Sequence, residues 1–185
     1  MPPLAGPSPQ AELKLDGELR LRPAAPEDRF RIHRWLATPD TELWWGDRAS
    51  AEAQITLAMG SAAGLCRIIE HGGDPIGYAQ ASEIGLWSEA WPKELPPGSW
   101  QVAVLLAAGP RQAERHQRAL AAITHEVFAT TLAVACVAAI PVTCEPAVRA
   151  YETEGFRWLR IWHDPLLGAV WLTLKERPPP TRQDH

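Results

Sequence analysis

One stretch constrains the fold of this chain more than any other: a short apolar run, a break, then a compact segment ending in Gly-Phe. Ala133 to Ile140 is continuous and apolar, as a strand covered on both faces would be. Arg149-Ala-Tyr-Glu-Thr-Glu-Gly-Phe156 then reads as a helix carrying one tyrosine, a glycine stop, and a phenylalanine entering the next strand. A buried strand, a short helix and a further strand demand a layered α/β arrangement.

Upstream the pattern alternates in the same way. Leu19-Arg-Leu-Arg22 reads as a strand, and Pro26-Glu-Asp opens a helix with Ile32, Trp35 and Leu36 on one face, ended by Pro39. A loop holding Trp44-Trp45-Gly46 leads to a helix over about 50–60, started by Ser50. Leu65 to Glu70 and Ile76 to Ser82 are strands around the hairpin turn His71-Gly-Gly-Asp74. A Trp-, Glu- and Pro-rich loop spans 85–98, and Trp100 to Leu106 is a strand broken by Gly109-Pro110. Residues 111–131 form a helix with Leu120, Ile123, Val127 and Phe128 facing inward. A helix over Glu145 to Glu154 and strands at Arg157 to Trp162 and Val170 to Leu174 close the domain around Asp164-Pro165. Residues 1–16 and 176–185 read as Pro-rich tails, because proline lacks the backbone donor that helices and sheets need. The domain is therefore expected over 17–175, with no internal repeat.

The chain has 185 residues, of which 46% are hydrophobic, enough for one domain with a real core. A net charge of -4 argues against a nucleic-acid partner, which wants a basic footprint. No apolar run approaches the ~20 residues that span a bilayer, so no membrane partner is expected. The three cysteines, Cys66, Cys136 and Cys144, lack disulfide or metal spacing. Cys66 and Cys136 are expected as buried thiols, in a reduced, cytoplasmic protein with no metal.

The order of elements, with the motifs it carries, resembles the GNAT acetyltransferases, and among them the aminoglycoside 6′-N-acetyltransferase-like branch. The residues that carry the resemblance are Leu21-Arg-Pro-Ala24 with Glu27-Asp28, Trp35-Leu36, Trp44-Trp45-Gly46, Ile76-Gly-Tyr-Ala-Gln80, and Arg149-Ala-Tyr-Glu with Gly155-Phe156. The resemblance implies an α/β (α+β) fold with a mixed, mostly antiparallel sheet flanked by helices. It also implies acetyl-CoA as cofactor, direct attack by a primary amine of a small molecule, and an aminoglycoside-like or siderophore-precursor-like acceptor. A second copy of the chain, as a homodimer, is an open expectation.

Site residues follow from the same resemblance. Tyr151 takes the place of the leaving-group acid, against the alternative that its ring packs under the last strands. Backbone groups near Val104, Leu105 and Leu106 would touch pantetheine and the thioester carbonyl. Counting back from Leu120 puts the glycines of the pyrophosphate loop on Glu114 and His116. That loop would then be altered, and Arg111, Arg115, His116 and Gln117 are the residues left to hold phosphate there. Ala103 stands where the branch carries an Asp, and Cys144 where the family carries an Asn before the last helix. The remaining candidates for a base are Glu83, at the end of the third strand, and His116. Trp44, Trp45, Asp47, Glu83, Trp87 and Trp91 would line an acceptor pocket, acids among aromatics suiting a cationic amine. The competing expectation is a catalytically silent module of this fold that binds a small ligand or a protein through the Trp-rich cleft.

Overall fold

The computed structural model describes residues 18–86, 90–109 and 111–180, with nothing drawn from the Leu43 side chain. The expected tail over 1–16, and Trp87 with it, lie outside the described residues.

Seven strands form one sheet in the order β1-β2-β3-β4-β5-β7-β6. They are β1 (Leu19–Pro23), β2 (Gly64–His71), β3 (Asp74–Glu83), β4 (Ser99–Leu106), β5 (Ala135–Pro141), β6 (Arg157–Asp164) and β7 (Gly168–Glu176). The helices are α1 (Arg29–Leu36), α2 (Glu42–Trp45), α3 (Arg48–Met59), α4 (Gln112–Thr130) and α5 (Glu145–Thr153). All neighbouring strands are antiparallel except β4 and β5. The architecture is therefore the mixed α/β sheet flanked by helices that the sequence predicts.

Alternation along the strands splits the core into layers. Ile69, Ala79, Val102, Val104, Cys136, Ala138 and Ile140 face α4 and α5, where they meet Leu120, Ile123, Val127 and Tyr151. Ile68, Tyr78 and Leu105 point the other way, onto Ile32 and Leu36 of α1 and Ile55 of α3. At the far end of that second face, Leu95 and Trp91 cover Val137, Leu172 and Leu174. Gly77 lets β3 approach β4 closely: a Cβ there would lie 2.3 Å from the Leu105 carbonyl oxygen.

Several local expectations change. The Trp44-Trp45 segment is the short helix α2 rather than a loop, preceded by a 3₁₀ turn at Pro39–Thr41. The following helix begins at Arg48, because Asp47 rather than Ser50 caps it; the Asp47 carboxylate accepts the Ser50 N–H at 3.0 Å. Cys66 is half-buried, whereas Cys136 and Cys144 are buried. The last strand runs to Glu176, into the segment that reads as a tail. Arg177 then donates to the carbonyls of Phe128, Thr131 and Ala133 at 2.6–2.7 Å. A residue among prolines thus fastens the chain end to the end of α4. No helix among the described residues is long and apolar enough to cross a membrane.

Candidate active site

The site is a consequence of incomplete pairing. β4 and β5 run parallel and are in register only from Ser99↔Ala135 to Gln101↔Val137. Beyond that point the strands splay, although β4 continues to Leu106 and β5 to Pro141. On its other side β4 stays paired, Val104 with Ala79 and Leu106 with Gly77. Ala107 donates to Ile76 of β3 at 2.8 Å. Backbone groups alternate in direction along a strand, so Val104 and Leu106 turn theirs into the wedge. The Trp45 indole confirms this direction by donating to the Val104 carbonyl at 3.2 Å. The N–H groups of Val104 and Leu106 then face the opening.

A cavity of about 490 Å³ occupies the wedge. Trp44 and Trp45 of α2 form one wall, Val104, Leu105 and Leu106 another, and Thr143, Cys144 and Pro146 at the start of α5 a third. His116, Gln112 and Ala113 of α4 close it, with Thr38, Asp40 and Thr41 along a further edge. Asp40 is the one ionisable carboxylate among these lining residues, and no Lys or Arg is among them. A second cavity, about 530 Å³, shares Ala113 and Pro146 with the first and is lined by Glu114, Gln117, Glu145, Arg149, Ala150 and Thr153. Arg149 is ion-paired with Glu145 along α5.

His116 is 5% exposed, and its Nδ1 has no hydrogen-bond partner. Burial pushes the imidazole pKa down to about 4, so the ring is neutral at neutral pH. It stands in a file of four rings: Trp44 at 5.4 Å, then His116, then Tyr151 at 6.0 Å, then Phe156 a further 5.0 Å on. Tyr151 does not line the cavity; burial, with the nearby Cys136 thiol, raises its phenol pKa. Burial likewise raises the Cys144 thiol, which therefore stays protonated.

The structure thus brings Trp44, Trp45, Val104, Leu105, Leu106, His116 and Cys144 to one cavity and Gln117 to the adjoining one. It places the others elsewhere. Glu83 pairs with Trp100, four residues from Val104 along β4, so it sits roughly 13 Å down the sheet at ~3.3 Å per residue. Asp47 is spent as the α3 cap, and Trp91 stacks on Trp162 at 5.4 Å over the opposite face. Arg111 and Arg115 belong to the start of α4 but line neither cavity. The count from Leu120 is corrected as well. α4 begins at Gln112, so the helix-start positions are Arg111 to Ala113, while His116 is more than a turn inside and faces inward. Arg111 takes the left-handed conformation, φ 53°, that glycine favours. Ala113 leaves the backbone open where both cavities meet. The first bonded N–H of the turn is that of Arg115, to the Arg111 carbonyl, so those of Gln112, Ala113 and Glu114 have no intrahelical acceptor. An anion site made of backbone needs no more than this.

Residues 25–163 match the family described as acetyltransferase (GNAT) domain. The chain belongs to this family. Among solved structures it is similar to aminoglycoside acetyltransferase AAC(6′)-Ib bound to ribostamycin and coenzyme A, at 22% identity, with 91% of this chain and 99% of that one covered and a TM-score of 0.75. It is also similar to the aminoglycoside N(6′)-acetyltransferase of Legionella pneumophila, at 15% identity over 84% of this chain and 90% of that one, TM-score 0.67. A third similar fold is the spermidine N-acetyltransferase of Vibrio cholerae in complex with CoA and spermine, at 16% identity, 86% and 95% coverage and TM-score 0.65. At these identities the likeness establishes the fold. No curated protein sequence matches the chain at a significant level.

Asp40 is the charged lining residue that sequence reasoning missed. Its signal was the Thr38-Pro39-Asp40 turn a few residues before the Trp pair. Ala113 was missed because the helix start was placed by counting rather than by its cap.

Proposed function

We propose that this GNAT chain is an acetyl-CoA-dependent N-acetyltransferase acting on a primary amine of a small molecule. The observation that carries the reading is the splay of β4 from β5, which opens backbone donors of Val104 and Leu106 onto a cavity beside the start of α4. The residues present suit the cofactor: a mostly apolar wedge for an amide-bearing arm, and the backbone N–H groups of the first turn of α4 for phosphate oxygens. When bound, acetyl-CoA would supply an acyl carbon that takes the acceptor nitrogen as its bond to sulfur breaks, the proton that the nitrogen loses passing to the sulfur, which leaves as a thiol.

The chain's own residues do the rest. Val104 and Leu106 N–H groups, roughly 6.6 Å apart along the strand, serve two separate acceptors: one donates to the carbonyl oxygen that gains charge and the other to an amide of the cofactor's arm. Asp40 pairs with the acceptor's ammonium group at the cavity, and Trp44 offers its ring face to the same cation. The ammonium proton passes to water beside Asp40 before attack. Arg149, ion-paired with Glu145, is the cation among the described residues lining the adjoining cavity and would have to exchange that partner to meet a phosphate group. The relatives bound to aminoglycosides and to spermine support a polycationic small amine as acceptor.

Calorimetric titration with CoA tests the first half of this reading, and thiol release with a panel of polyamines and aminoglycosides tests the second. No CoA binding at millimolar concentration would remove it. The Asp40→Asn variant is expected to raise KM for the amine about tenfold, one charge-assisted contact's worth, with CoA affinity unchanged.

One observation favours a catalytically silent, ligand-binding module: Asp40 is the one carboxylate among the described residues lining the cavity, and neither Tyr151 nor Glu83 is among them. CoA binding without thiol release across the whole amine panel is the outcome that selects that alternative.

A further inference from the structure

The cavity wall contains one polar side chain that is buried yet satisfied by nothing. His116 lines the wedge beside the splayed end of β4, its Nδ1 lacks a partner, and no described residue hydrogen-bonds the ring. Buried polar atoms without partners are rare in folded proteins, because the lost hydration is not returned. The surroundings hold the ring firmly: Trp44 packs on one side and Tyr151 on the other, at 5.4 and 6.0 Å between ring centres. Nδ1 itself is covered, so Nε2 is the nitrogen of this neutral imidazole that a partner in the cavity would reach. Tyr151, by contrast, is the next ring inward and does not touch the cavity.

We propose that His116 is the side chain that hydrogen-bonds the acyl group of the bound donor, and that Tyr151 is a positioning residue that holds the imidazole from behind. This rests on the acetyltransferase reading above. It follows from three facts together: the ring is the last of the file to reach the cavity, it has no side-chain or backbone partner, and it lines the same cavity as Val104 and Leu106. A ring kept neutral by burial donates through one nitrogen without carrying charge, which suits a carbonyl rather than a phosphate. The resemblance would give a thioester contact to Tyr151; in this chain the position one ring nearer the cavity is the histidine.

The test compares CoA with acetyl-CoA, which differ only in the acyl group. Calorimetry on the wild type, His116→Leu, His116→Asn and Tyr151→Phe is read as the ratio of the two affinities. In His116→Leu, acetyl-CoA affinity should fall about five- to tenfold relative to CoA, a lost neutral hydrogen bond, with CoA itself held as before. Turnover should fall on the order of 100-fold, and His116→Asn should restore part of both. Tyr151→Phe should keep the wild-type ratio. Should His116→Leu fail to fold, nitrogen NMR of the wild-type imidazole decides: the ring signals should shift with acetyl-CoA and not with CoA. An unchanged ratio in His116→Leu, or ring signals indifferent to the acyl group, overturns the assignment while leaving the acetyltransferase reading in place. A wild type that binds neither ligand overturns both.

Discussion

Two polar clusters in this molecule are built in opposite ways. Around Asp28 everything is matched. Its carboxylate receives Arg22 at 2.7 and 2.9 Å, Arg31 at 3.1 Å and the Ala25 N–H at 2.9 Å, while Arg22 also reaches Glu70 at 2.8 Å. This closed set ties β1 and the turn at Pro26–Asp28 to β2. Around the β4–β5 wedge the accounts stay open: His116 lacks a partner, Asp40 stands among hydroxyls and rings, and strand N–H groups face a cavity. Matched buried groups hold a fold together; unmatched ones are what a ligand can complete.

Breaking the closed cluster should have the largest effect. Asp28→Ala leaves Arg22 half-exposed and short of its main partner, and should lower unfolding free energy by about 3 kcal/mol in urea titration. The same cluster sets an acid response. Arg22 holds the Asp28 carboxyl at about 2, below its ordinary 3.8. Its folded pKa is depressed, so its stabilisation is full above pH ~4 and drains as pH falls toward 2, about 2 kcal/mol in all. Wild type should lose that increment between those values and Asp28→Asn should not; equal acid profiles would remove the cluster from the account of stability.

The Arg177 fastening extends the closed class to the chain end. Arg177→Ala abandons three carbonyls and a contact 5.2 Å from the Phe128 ring centre. A loss of about 2–3 kcal/mol is expected, with faster amide exchange at the last turn of α4. A variant as stable as wild type would return residues 176 onward to the status of a tail.

The open region should respond with the opposite sign. His116→Leu removes an orphaned polar atom and fills much the same space, so thermal unfolding should register a gain of about 1 kcal/mol even as acyl recognition is lost. Stability falling together with function would erase the contrast between the two clusters. The smallest effect is expected at Arg111, whose φ of 53° strains a non-glycine residue. Arg111→Gly relieves that strain but frees the unfolded chain, for a net gain of about 0.5 kcal/mol.

Much of the fold was legible because its signals are local. The alternation in Leu19 to Arg22, the Gly-Gly turn and the apolar run before α5 each depend on neighbours in sequence. The site was legible where a residue's place follows from its own element, as with Trp44, Trp45 and the end of β4. It was not legible where a role depends on what lies across the sheet. Glu83 reads as a strand-end acid, yet the register of β3 on β4 puts it far from the wedge. Asp47 and Asp40 look alike in sequence; one is taken by the Ser50 N–H and the other lines the cavity.

The sequence by itself determined a mixed α/β layer with a late strand–helix–strand unit and a tyrosine on its last helix, because periodicity and turn chemistry act over a few residues. Tertiary structure alone decided that β4 and β5 part after Gln101, that α4 starts at Gln112, and that His116 comes between Tyr151 and the cavity. Those outcomes depend on how distant segments pack against one another, and no local pattern along the chain encodes that directly.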